Sequence, residues 1–155
     1  MKKIGMTAFA ILLLCVLTGC PTDDGGKTPA SMTFVDNINN PAKEFIIDEN
    51  LGFKVTFIKP DSMEQAMSIQ PSEVISGKIT EADAAWNTNL TGTATQMIST
   101  NEMINSVVTS LPPIAISLAY KKSGDAITEV TVAFPKDDSL SQQAQLLMGK
   151  TYFKK

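Results

Sequence analysis

Ile114, Ile116, Leu118 and Tyr120 alternate without a break, and Val130, Val132 and Phe134 do the same further along the chain. Apolar residues at a period of two put one side of a strand into a core and the other towards water, which no helix can do. Ser123-Gly124-Asp125 lies between the two runs and supplies turn chemistry. The pair therefore predicts a β-hairpin, and with it an antiparallel sheet.

Other segments join this sheet. Glu44 to Asp48 and Phe53 to Lys59 are expected strands; Phe53, Val55 and Phe57 share one face, with Lys54 and Thr56 on the other. Asn50-Leu51-Gly52 makes the turn between them, and Pro60 ends the second. Asp61-Ser-Met-Glu64 is a capping box that opens a short helix stopping before Pro71. Glu73 to Ile79 is a further strand, and Thr80 caps a short helix through Trp86. Ser99-Thr-Asn-Glu102 is a second capping box, followed at helical spacing by Met103, Ile104, Val107, Val108 and Leu111 until Pro112-Pro113. After Pro135, Ser139 to Gln142 opens a last helix with Leu140, Ala144 and Leu147 on one face. Gly149 ends it, and Thr151 to Phe153 returns as a short edge strand. No repeat of solenoid length is present. The expected fold is a single α+β domain over residues 32–155, an antiparallel sheet with a few short helices packed on it.

The N-terminus carries a different signal. Lys2 and Lys3 precede an apolar run from Ile4 to Leu17, broken only by Gly5 and Thr7, and small residues lead to Cys20. A positive start, a short apolar core and a small-residue exit form an export signal, too short to span a bilayer comfortably. Leu17-Thr18-Gly19-Cys20 resembles the lipobox of bacterial lipoproteins. That resemblance implies cleavage between Gly19 and Cys20, with diacylglycerol on the Cys20 thiol and an acyl chain on the new amine. Residues 1–19 are then a cleaved signal peptide. Residues 20–31, polar and rich in Gly and Pro, read as a flexible tether from the lipid. Asp23-Asp24 in that tether vaguely resembles the acidic surface-export tags of some Bacteroidetes lipoproteins, although acids in a linker commonly serve solvation alone.

Charge and residue absences exclude several functions. The signal takes two of the 13 lysines and none of the 16 acids, so a mature chain of 136 residues has net charge −5. That disfavours nucleic acid as a partner and adhesion to anionic lipid by charge, leaving membrane affinity to the lipid on Cys20. Cys15 leaves with the signal, so no disulfide is expected in the domain. There is no histidine, which removes Ser-His-acid and Cys-His catalysis by this chain alone. Ser-Lys catalysis lacks its usual spacing; Ser76-Gly77-Lys78 comes close and reads as a strand irregularity.

The remaining motifs have structural readings. Ala144-Gln-Leu-Leu-Met-Gly149-Lys150-Thr151 satisfies a permissive phosphate-loop pattern. A phosphate loop needs a strand before it and a long helix after it, the reverse of what is expected here. Asp48-Glu49 and Asp137-Asp138 are carboxylate pairs. Neither follows an EF-hand spacing, and Asp137-Asp138 stands where a helix start favours negative charge. Met63 and Met67, one helical turn apart, with Met97 and Met103, are soft-donor candidates for Cu(I); methionines on apolar faces also serve as core filler. The few aromatic residues, Trp86 included, read as core.

The amphipathic strand ending at Pro135, followed by Asp137-Asp138 and a helix, is similar to the end of DcrB-type lipoproteins of the PsbP-like fold. Leu51-Gly-Phe-Lys-Val-Thr-Phe-Ile-Lys-Pro60 resembles their opening strand. The expectation is a non-catalytic envelope lipoprotein, without a metal or cofactor, that binds another envelope protein or supports an assembly. Alternatives are a carrier of a lipid or small hydrophobic ligand, and a periplasmic immunity or inhibitor lipoprotein. Pro21 follows the cysteine where an Asp would signal inner-membrane retention, so the periplasmic face of the outer membrane is favoured over the inner membrane or the cell surface. Cys20→Ala should leave the precursor uncut and unlabelled by radioactive palmitate, read by gel and intact mass. Normal cleavage or labelling in the variant would sink the lipid-anchor reading.

Overall fold

The computed structural model describes residues 31–80, 89–94, 96–108 and 112–155. The strands are β1 (Met32–Val35), β2 (Lys43–Ile47), β3 (Gly52–Phe57), β4 (Val74–Lys78), β5 (Asn89–Ala94), β6 (Ile98–Ser99), β7 (Ile114–Ser123), β8 (Ala126–Ala133) and β9 (Thr151–Lys154). The helices are α1 (Ser62–Ala66), α2 (Glu102–Val108) and α3 (Ser139–Met148). All strand pairings are antiparallel, in the order β5-β7-β8-β9-β1-β2-β3-β4-β6. The two ends of that order, β5 and β6, are successive strands in the chain. β5 runs along β7, β6 runs along β4, and Ile79 bridges to Ala94 between them. The sheet therefore closes into an eight-stranded up-and-down barrel, with β5 and β6 sharing one position in the wall.

The architecture is mostly β, which corrects the expected α+β arrangement of helices on a sheet face. The reason lies in the period-two pattern. Inward side chains Phe45, Val55, Phe57, Leu118, Val130 and Tyr152 are all buried, and they meet one another across the barrel interior. Phe45 stacks on Tyr152 with ring centroids 5.1 Å apart. A sheet whose single apolar face closes on itself has no face left for helices. The helices occupy connections instead, and the alternation of an up-and-down chain puts all three at one end: α1 between β3 and β4, α2 between β6 and β7, α3 between β8 and β9.

Several local expectations hold in detail. The β7–β8 hairpin turns through Gly124, whose φ of +61° suits a primed two-residue turn. In the β2–β3 turn, Asp48 Oδ1 accepts from the amides of Asn50 and Gly52 at 2.8 and 2.7 Å. The Asp61–Glu64 capping box is present in both directions, each bond 2.9 Å. Four readings need correction. The cap of α2 is Asn101, two residues later than the Ser99 expected from the capping box, because the Ser99 hydroxyl is committed to Glu73. β9 is no edge strand; it pairs with both β8 and β1, and Tyr152 is fully buried. Ser76-Gly77-Lys78 holds a regular register with β3, and Gly77 is needed because a Cβ there would come within 2.6 Å of the Phe53 ring. Strands β1, β5 and β6 were not expected. The helix expected to run from Thr80 through Trp86 falls on residues 81–88, which with Leu111 lie outside the described residues; Thr80 itself donates from its amide and its hydroxyl to Thr93 O.

One polar contact crosses the helix-bearing end of the core. Lys43 and Glu64 form an ion pair with relative exposures of 3% and 1%. Lys43 points inward from β2, and its Nζ also lies 5.3 Å from the centre of the Phe57 ring. Burial pushes the Lys43 pKa down, and the hydrogen bond with Glu64 opposes that shift. Glu64 uses its second carboxylate oxygen in the capping box, so one side chain starts α1 and fastens it over the barrel. Glu64→Gln should leave a buried, uncompensated ammonium and cost roughly 3–5 kcal/mol in urea unfolding. Adding Lys43→Met should return most of that loss; no recovery in the double variant would show that the pair itself is not the cause.

Candidate functional site

The barrel wall opens where β5 passes into β6. Pro112 and Pro113 have no amide hydrogen to extend the ladder, so β7 begins at Ile114, opposite Ala94. Beyond that point the chain moves to β4 as β6, leaving a fork in the wall. α2 and α3 lie across this fork. Between them and the strands is a cavity of about 150 Å³. Ile75, Met97 and Ile114 come from the strand side, and Met67 from the stretch after α1. Met103 and Ile104 come from α2; Leu140, Gln143, Ala144, Leu147 and Met148 come from α3.

The two helices are positioned by specific polar contacts. Glu73, buried just before β4, accepts from Ser99 Oγ at 2.5 Å, Thr100 Oγ1 at 2.8 Å and the Asn101 amide. Asn101 then caps α2 through Oδ1, which accepts from the Met103 amide at 3.0 Å, and donates from Nδ2 to Ser68 O at 2.7 Å. The start of α2 is thereby tied to β4 and to the chain after α1. At α3, Asp138 Oδ1 accepts from the amides of Leu140 and Ser141, and its Oδ2 accepts from Ser141 Oγ at 2.7 Å. Gln145 closes the other end. Its Oε1 accepts from Phe134 N at 2.8 Å and its Nε2 donates to Gly149 O at 3.1 Å. The buried Tyr152 hydroxyl, its pKa raised by burial, donates to Met148 O at 3.0 Å and anchors the helix exit to β9.

Chemically the cavity is apolar. Of the eleven described residues that line it, ten are apolar and Gln143 is polar. Among the described residues the wall offers no nucleophile and no acid–base pair. Among the described residues no group of three or more His, Cys, Asp or Glu side chains converges, and no helix is long and apolar enough to cross a membrane.

The residues singled out from sequence separate clearly. Met67, Met97 and Met103 meet in the cavity and Met148 joins them, while Met63 stands outside it, 40% exposed. Asp48 is used by its turn and Asp138 by its helix cap; Glu49 and Asp137 are exposed. Ser76 and Lys78 lie on the outer face of β4. The phosphate-loop match has helix α3 before Gly149 and strand β9 after it. Gly19, Cys20 and Asp23-Asp24 lie outside the described residues. Met148, Glu73 and the Lys43–Glu64 pair were missed; the short apolar series Ala144, Leu147, Met148 was the available sign of the first.

Comparison with protein-family models, with curated proteins and with solved structures found no match. The lipobox and the likeness to DcrB-type lipoproteins therefore rest on their own residues. The Asp138 cap makes a testable contribution to α3. Its hydrogen bonds with Ser141 hold the carboxyl below its ordinary value of 3.8. A depressed folded pKa contributes stability above the unfolded value, and that contribution is lost as pH falls through the folded one. Asp138→Asn keeps a capping oxygen and removes the titration, so its unfolding midpoint should fall less steeply than wild type below about pH 4. Parallel curves for the two proteins would contradict this assignment.

Proposed function

We propose that this chain is a non-catalytic envelope lipoprotein, held to a membrane through Cys20, whose barrel carries a small apolar molecule. The observation that carries the binding part is the apolar cavity in the fork between β6 and β7, roofed by two helices fixed at their ends. Eight-stranded barrels are wide enough to hold one small ligand, and a mostly apolar concavity with one polar group is the usual form of such a site. The anchoring part rests on Leu17-Thr18-Gly19-Cys20 and the apolar run before it. The periplasmic face of the outer membrane remains the favoured location.

A second reading, docking of another envelope protein, has its own support. Among the described residues six large apolar side chains are exposed; Ile38, Ile58, Met63, Met103 and Leu146 belong to connections at the helix-bearing end, and Ile98 lies on β6. The cavity favours the first reading because it requires no partner surface to explain it.

The test is extraction of the tagged lipoprotein from its native membrane with organic solvent, followed by mass spectrometry of released small molecules. Ala144→Leu serves as the control because it fills the cavity from α3. Wild type should release a compound that the variant retains at least about tenfold less, with its unfolding midpoint kept. Equal recovery from both proteins, or none from either, would overturn the carrier reading.

A further inference from the structure

We infer that the cavity takes a neutral, compact aromatic molecule, gripped by methionine sulfur and oriented by Gln143. This rests on reading the cavity as a binding site, and it names the ligand class.

Size sets the first limit. An apolar cavity of about 150 Å³ matches those known to accept benzene, and is small for a full-length acyl chain. Charge sets the second. Among the described residues no charged side chain lines the wall, so a carboxylate or ammonium drawn inside would lose its water with no counter-ion from them. The lining points to an uncharged occupant. Gln143 is exposed on α3 yet contributes to the wall, and its amide presents both a donor and an acceptor. One hydroxyl, carbonyl or ring N–H on the ligand suffices to meet it.

Sulfur sets the third limit. Four thioethers, from Met67, Met97, Met103 and Met148, reach the cavity from four separate segments, and among the described residues no aromatic side chain lines it. Methionine is unbranched and adapts to irregular shapes, and its sulfur makes favourable contacts at ring edges. A wall rich in sulfur and empty of rings complements an aromatic guest better than a saturated one. Met103 is 67% exposed while also lining the cavity, which places it at the mouth.

The experiment uses the mature lipoprotein in lipid nanodiscs with 13C-methyl methionine, with empty nanodiscs to correct for partitioning of the probe. Benzene, cyclohexane and benzoate are titrated in turn. Benzene should shift the methyls of Met67, Met97, Met103 and Met148 saturably and leave Met63 unmoved; Ala144→Leu should abolish the shifts. Benzoate should bind at least about tenfold more weakly, and cyclohexane at least about threefold. Benzoate matching benzene would overturn neutrality, and cyclohexane matching benzene would overturn the ring preference, each with the cavity still a binding site. Silence from all three probes would remove that site, and the inference with it.

Discussion

Closure of the hydrogen-bonded ladder governs this molecule. A twisted antiparallel sheet ordinarily ends in two strands with unpaired amides and carbonyls, and those edges invite association. Here β9, only four residues long, pairs on one side with β8 and on the other with β1. The opposite join is looser: β5 and β6 divide their pairing between β7 and β4, with Ile79 and Ala94 as the stitch. Tyr152 of β9 stacks on Phe45 of β2, which stacks in turn on Phe53 of β3. The loose join gives the cavity. Fold and site thus follow from how each seam is made.

Polar groups inside this structure are few, and each serves an attachment. Lys43 and Glu64 tie α1 over the barrel, Glu73 ties the start of α2 to β4, and Gln145 ties α3 to the end of β8. Buried charges contribute little net stability when they could be replaced by apolar groups, because desolvation offsets attraction. Their value here is positional. Three short helices with little helical propensity of their own stand at one end because specific side chains hold them there.

Legibility in the sequence tracked the strength of the period. β7 and β8 were evident since every second residue is a large apolar one, and β3 likewise. β5, with the sequence Asn-Leu-Thr-Gly-Thr-Ala, places Leu90, Gly92 and Ala94 on one side, and a glycine midway erases the pattern. β1 has only Met32 and Phe34 to show a face, and β6 has two residues. β9 looked like an edge because four residues carry no information about how many neighbours they have. The antiparallel sheet with a few short helices was legible and its closure into a barrel was not, for a related reason: alternation reveals that one face is buried, and is silent on whether helices or the same sheet bury it. For the site, Met67, Met97 and Met103 were legible as a group by chemistry. Their convergence with Met148 depends on the break at Pro112-Pro113, a tertiary consequence of two missing donors.

The pairing of Phe34 with Lys154 and Val35 with Phe153 joins the first described strand to the last. β1 emerges early in synthesis and its partner β9 emerges late, so the closing contact joins the most distant strands in the chain. Non-local pairing of this kind slows folding, since the loop must be closed before any contact rewards it. Throughout that interval β1 presents a bare edge. A chain crossing a membrane from its N-terminus would spend its whole passage in that state, and would depend on holding factors on the far side until β9 arrives.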